Sequence, residues 1–386
     1  MSIGPIVRKE ACLGTGGVEP PHCQLNAGTQ AEASIDSFLQ NLRPVGGEAV
    51  DIYLERGAAF TGSLPSLLGN GIDRLRTGIG SVVYVGEDGL GNGVIRDWFA
   101  EVSAQISHPS TGLFQMSEDI PHYLKLNTER DLNRHGREMF EAVGRFIAFA
   151  LISDHQVGLK LPIMFYAKLL NLQIDLEEIK EDEPLKYNSL SALFEYDNTL
   201  LETIPMTIRG VEYELTEENR HELVTQYVNS LSSIFDDYRF DLIRNGFDAV
   251  VPITQLSRVA TPSTLRRRLY GFTRVNVEEL MASIDFGRRG YTRDSPQIKW
   301  LHGLLRTFTQ EERRMFLRFV TGTSQVPACG FANMKEKIKI EAYNMVERLP
   351  TSRNCFNTLI LPRYTTNKEL VRKLRLAILD NSGMTD

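Results

Sequence analysis

Between Met139 and Ile152 the chain is apolar nearly all round a helical wheel, and a helix without a polar face has to be covered on every side by the rest of the protein. That requires a globular body able to enclose it, and 386 residues, roughly two or three domains' worth, are enough. The uninterrupted apolar run inside it, Phe146 to Ile152, is flanked by Arg145 and Asp154 and falls far short of the ~18 residues that begin to suggest a membrane span. The start, Met1-Ser2-Ile3-Gly4-Pro5, shows no basic region followed by an apolar stretch, so no secretory signal is read there and a cytoplasmic or nuclear setting is expected, with no membrane partner. With 30 Gly and 16 Pro the chain is neither collagen-like nor wholly disordered, and a net charge of −6 argues against nucleic acid as a partner.

Residues 1–48 are rich in Gly, Pro, Ser and Gln without periodicity and read as a weakly ordered lead-in. From Asp51 the pattern turns helical, Ser81–Val85 reads as a strand, and Ile95, Trp98, Phe99, Val102 and Ile106 mark an amphipathic helix. Further helices are expected at Ile163–Leu170 and after a Thr216 cap, with Leu223, Tyr227, Leu231 and Phe235 on one face. The acidic stretch Asp175–Glu183 reads as solvent-facing. Arg266-Arg267-Arg268-Leu269-Tyr270-Gly271 ends a helix with cations in its last turn and Gly beyond it. Residues 275–386 carry net +6 and residues 1–274 net −12, so the two halves differ in sign.

Four cysteines, at 12, 23, 329 and 355, are too few for a disulfide framework. Cys12, His22 and Cys23 lack a fourth ligand at a familiar spacing, and no metal or cofactor is expected. The glycines of Gly86–Gly93 are misplaced for a dinucleotide fingerprint and read as a flexible turn. Cys355 stands between a polar, Pro-containing loop and the apolar run Thr358–Pro362. Arg353 nearby would favour its thiolate, and the residues alone leave a reactive thiol and an inert surface cysteine equally open.

The segment Leu349-Pro350-Thr351-Ser352, then Cys355-Phe356-Asn357, then Leu361-Pro362-Arg363-Tyr364 resembles the active-site region of HECT-type ubiquitin-protein ligases. Gly290–Ser295 and Phe319–Pro327 with Gly330-Phe331 are similar to later motifs of that family, and Gly91–Phe99, Gly112–Phe114 and Val143–Ala148 to earlier ones, in order over about residues 50–378. The resemblance implies a bilobed α+β fold. A mostly helical N-terminal lobe (49–270) would dock a ubiquitin-conjugating enzyme, and a smaller α/β catalytic lobe (274–386) would follow a hinge at Gly271, Phe272 and Thr273.

It further implies that Cys355 takes ubiquitin as a thioester and passes it to a lysine of protein substrates, with backbone N–H groups at Asn354 and Phe356 as oxyanion donors. Leu190, Phe194, Tyr196 and Phe240 match the positions that hold the conjugating enzyme, and Leu190 and Phe194 would share an exposed helical face. Three positions depart from the family pattern. Arg353-Asn354 replaces its usual His-Thr, Gly383 stands where many members carry an aromatic residue, and Ile360 where many carry Asp. The lost ring predicts intact loading but weaker lysine transfer. Two other readings are a catalytically weak scaffold that binds ubiquitin or the conjugating enzyme, and a cysteine peptidase using His302.

Overall fold

A computed structural model describes residues 33–380 apart from 90, 121, 130, 272, 273, 287–289, 327–329, 333 and 335, and apart from the side chains of 355 and 380. Residues 33–42 form helix α1, whose Ile35 and Leu39 enter the main core. The expected lead-in is thus structured over this part, because two apolar residues at i and i+4 are enough to dock a short helix. The helix expected from Asp51 is instead strand β1 (Val50–Leu54), with residues alternately buried and exposed. After α2 (Ala59–Gly69) and α3 (Ile72–Thr77), β2 (Ile79–Tyr84) pairs with β1 in parallel, close to the strand expected at 81–85.

Helix α4 (Asn92–Ser107) buries Ile95, Trp98, Phe99, Val102 and Ile106, the face its periodicity predicts. The Trp98 indole N–H donates to Ser63 Oγ at 2.9 Å, so its one polar atom is satisfied in the core. A short antiparallel pair, β3 (Phe114–Met116) and β4 (Leu124–Leu126), leads to α5 (Arg134–Ser153), capped by Asn133, which accepts the Gly136 N–H at 2.7 Å. This is the helix without a polar face over its second half: Phe146–Ile152 is buried throughout.

Helices α2 and α3 pack against it, and α6 (Ile163–Leu170) follows in the range expected. Next come α7 (Pro184–Ala192), α8 (Asn198–Leu201), the hairpin β5 (Met206–Ile208) and β6 (Val211–Tyr213), α9 (Arg220–Ser230) and α10 (Tyr238–Val250), and it is α10 that packs along α5. Asn219 rather than Thr216 takes the N-cap position of α9. The two are reciprocally bonded, Thr216 N–H to Asn219 Oδ1 and Asn219 N–H to Thr216 Oγ1. Where α10 crosses α5, a Cβ on Gly144 would overlap the Ile243 carbonyl, and one on Gly246 the Glu141 carbonyl. Glycine at both positions lets the backbones touch.

After α11 (Ile253–Leu256), α12 (Pro262–Tyr270) is capped by Thr261 and ends at Gly271, as expected. Its Arg266 reaches Asp182, so the solvent-facing reading of 175–183 holds at Asp175, Glu177, Lys180 and Glu181 and is corrected at Asp182 and Glu183, which are buried. The Asp182 carboxylate is fully buried and accepts from Arg266 Nη1, Tyr123 Oη and the Ile163 N–H, each at 2.6 Å. A buried carboxylate is retained only with such partners.

The second core runs from Val275 to Ile378 and is separate from the first, which ends at Leu269. It comprises α13 (Val277–Ser283), α14 (Pro296–Thr307), α15 (Gln310–Thr321), β7 (Lys339–Tyr343), β8 (Thr351–Arg353), β9 (Thr358–Pro362) and α16 (Asn367–Asp380). Its sheet has the order β7-β9-β8, with β7 parallel and β8 antiparallel to the central β9. The class is α+β. Among the described residues no helix is long and apolar enough to cross a membrane.

Candidate active site

Strands β8 and β9 form a hairpin in which Arg353 pairs with Thr358, leaving residues 354–357 as a four-residue loop, a length common in hairpins. Asn354–Phe356 make one 3-10 turn, so the backbone of Cys355 lies at the tip. The loop closes through Asn357, which has φ +49°, a conformation Asn tolerates better than most residues. Its N–H donates to the Asn354 carbonyl at 3.2 Å, its Nδ2 to the Glu336 carbonyl at 2.7 Å, and its own carbonyl accepts the Lys339 N–H at 2.9 Å. Asn357 is buried, whereas its neighbour Phe356 is 62% exposed and Asn354 is also exposed. Arg353 Nη1 lies 3.4 Å from Glu341 Oε2 across the sheet, so its charge is shared with that carboxylate rather than spent on the loop alone.

The loop is also held from the first core. Arg96 on α4 donates from Nη1 to Asn357 Oδ1 at 2.8 Å and from Nη2 to the Asn354 carbonyl at 3.0 Å. Behind the loop, Gly322 ends α15 in a left-handed turn against the Asn354 side chain. At the far end of β9, Tyr291 donates to the carbonyls of Leu361 and Pro362 at 3.2 and 2.9 Å. Burial pushes the Tyr291 phenol up to about 12, so it stays a neutral donor.

The other residues singled out from the sequence fall in two places. Leu190 is buried on α7, while Phe194 lies past the end of that helix and so does not share its face. Phe194 and Tyr196 are half-buried. Arg220 braces this segment by donating to the carbonyls of Leu193 and Tyr196 at 3.1 and 2.9 Å, and the Phe194 ring packs 4.6 Å from that of His221. Phe240, expected at the same surface, is a core ring only 1% exposed, packed edge-on to Phe165 at 5.4 Å, which corrects that expectation. The exposed large apolar side chains of this region, among the described residues, are Leu185, Leu200, Val211, Tyr213 and Tyr238.

Gly271 has φ +83° and ψ −168°, close to the Val326 carbonyl of the second core and the Gln156 side chain of the first. A cleft of about 990 Å³ beside it is lined by Lys160, Arg266 and Tyr270 on one side and Gln310 and Arg314 on the other. Phe272, Thr273, Cys12, His22, Cys23, Cys329 and Gly383 lie outside the described residues. His302 is bonded to Glu278, 3.1 Å from Oε2, on α14.

Residues 100–385 match the HECT-domain (ubiquitin-transferase) family. The chain belongs to that family. The HECT match covers the second core and most of the first. The chain is 26% identical over 363 residues to the E3 ubiquitin-protein ligase pub1 of Schizosaccharomyces pombe, covering 89% of this chain and 47% of pub1. It is 25% identical over 358 residues to the E3 ubiquitin-protein ligase HACE1 of Xenopus tropicalis, covering 87% and 39%, respectively. It is 27% identical over 357 residues to the E3 ubiquitin-protein ligase TOM1-like of Neurospora crassa, covering 86% and 9%. It therefore spans less than half the length of each of these curated relatives.

Sequence reasoning gave Arg96 and Asn357 no role in this HECT domain, although both lie in segments quoted for the resemblance. The only signal was Asn357 itself, an Asn in a short turn before an apolar strand, which favours a left-handed loop closure. Nothing local announces a partner 261 residues away.

Proposed function

We propose that this chain is the catalytic module of a ubiquitin-protein ligase and that Cys355 carries ubiquitin as a thioester. The observation that supports this most is the placement of Cys355 at the tip of the β8–β9 loop, between the exposed Asn354 and Phe356, in a member of the HECT family. In loading, the Cys355 thiolate attacks the carbonyl joining ubiquitin to a conjugating enzyme; the new carbon–sulfur bond forms and the enzyme's thiolate leaves. Thiol exchanges for thiol, so the step is nearly balanced. In transfer, a substrate lysine attacks the same carbonyl, an amide forms and the Cys355 thiolate is released. The N–H groups of Asn354 and Phe356 are our candidates for the oxyanion formed in each step.

The two cores act in this reading as lobes joined at Gly271–Thr273, because one sulfur must reach a docked enzyme and later a separate substrate. Phe194 and Tyr196 form the docking surface, and Leu190 is buried on the helix just before them. The chain is incubated with activating enzyme, conjugating enzyme and ubiquitin. Wild type should give a reductant-sensitive adduct that Cys355→Ala abolishes; wild type that binds but is never charged refutes the proposal.

A further inference from the structure

The contact between Arg96 and the acceptor loop joins the two cores at the chemistry itself. The halves carry opposite net charge, −12 and +6, but Arg96 is a cation docking onto the positive one, so this contact follows from local acceptors and not from overall charge. Its partners are local: the Asn354 carbonyl and Asn357 Oδ1 flank Cys355 on either side in sequence, and Glu336 Oε2 lies 4.0 Å away. The backbone of Asn357 and its Nδ2 are bonded within the second core, which leaves Oδ1 facing Arg96. Helix α4 packs on α2, β2 and β3, whereas segment 193–196 is braced by Arg220 of α9. A loop seated on α4 is therefore not seated at the docking surface proposed above.

Resting on that reading, we propose that Arg96 is a positioning residue for the transfer step: it latches the charged loop onto α4 after the conjugating enzyme has been left. Its two forked donors fix the loop on both sides of the thioester, so that the carbonyl keeps one orientation while the lysine nitrogen attacks, the carbon–sulfur bond breaks, and the amine's proton passes to solvent. Loading, which occurs with the loop away from α4, does not use it.

The test measures loading of Cys355 from charged conjugating enzyme and, separately, discharge of the preloaded chain to free lysine. Arg96→Ala should slow discharge by about tenfold, as expected for loss of a charge-assisted pair, with loading unchanged within about twofold. Arg96→Lys, which keeps one donor and the charge, should recover part of the rate. Asn357→Gly keeps the left-handed turn but removes Oδ1, and in that background Arg96→Ala should cost less than it does alone. Equal slowing of both steps, unchanged discharge, or faster loading alone would each overturn the proposal. Hydrogen exchange of uncharged protein supplies a readout independent of activity, with faster exchange expected across residues 353–358 in Arg96→Ala. If wild type is never charged, the reading of Cys355 fails and exchange alone decides the latch: unchanged exchange overturns it.

Discussion

The Gln156 side-chain amide donates to the Val326 carbonyl at 3.1 Å, tying the first core to the second beside Gly271. Gly271 adopts φ +83° and ψ −168°, a region essentially reserved for glycine, and a Cβ there would overlap both partners of that bond. Gly271→Ala should therefore cost about 1–3 kcal/mol in backbone strain alone. It should lower the melting temperature and slow delivery of ubiquitin to Cys355 more than it weakens conjugating-enzyme binding. Loading and binding reduced in equal proportion would count against a hinge role.

In the proposed reading Phe194 serves docking, whereas Phe240 is a packing residue of the first core. Phe194→Ala should weaken binding of the conjugating enzyme by about 2 kcal/mol with little change in stability, as expected of a contact aromatic. Phe240→Ala removes a buried ring from the Phe165–Phe235 cluster and should cost about 3–5 kcal/mol of folding free energy. Titration calorimetry and urea unfolding on both variants check the assignment, which fails if Phe194→Ala binds as wild type.

Asp182 holds Arg266, Tyr123 and the Ile163 N–H together in the first core. Asp182→Ala removes the buried partner of Arg266, which keeps Glu181 at 3.1 Å, and leaves two buried donors without their acceptor, and should destabilise by about 3 kcal/mol. Tyr123→Phe removes one donor and leaves the ion pair, so it should cost about 1 kcal/mol. Chemical unfolding midpoints give both values, and a loss for Asp182→Ala no larger than that for Tyr123→Phe would contradict this account of the cluster.

Glu312 joins α15 to α16. Its carboxyl is held below the usual carboxylate range, first by the Thr309 N–H and then by the Arg375 guanidinium, which lies 2.5 Å away. A depressed carboxylate contributes stability that is present above its unfolded value of about 4.5 and is lost as the pH falls through the lower folded value. The melting-temperature difference between wild type and Glu312→Gln should therefore be constant near neutrality and shrink below about pH 4.5. A difference that persists unchanged to pH 3 would exclude the charge as its cause.

What could be read in advance follows the range of the interactions involved. The periodicity of Ile95–Ile106 is a local property, and the structure buries those five residues. The range Ile163–Leu170 and the Gly271 stop are equally local and were equally legible. Strand β1 was misread because five residues give a weak alternation and their partners in β2 lie 29 or 30 residues on. Asp182 looked solvated because the residue that neutralises it is 84 positions away. Matching Phe240 by position carried no information about burial, which depends on Phe165 and Phe235 meeting it in three dimensions. For the site, the motif pointed to position 355 and its neighbours, whereas the Arg96 contact from α4 is a product of how the two cores pack.

The most direct measurement is the intact mass of the chain after a brief pulse with conjugating enzyme already charged with ubiquitin. Wild type should gain one ubiquitin that thiol reductant removes, Cys355→Ser should retain one through an ester that reductant leaves in place, and Cys355→Ala should gain none. A wild-type chain that stays uncharged while binding the conjugating enzyme, or a Cys355→Ala chain that still acquires a reductant-labile ubiquitin, would contradict the assignment of Cys355 as the acceptor.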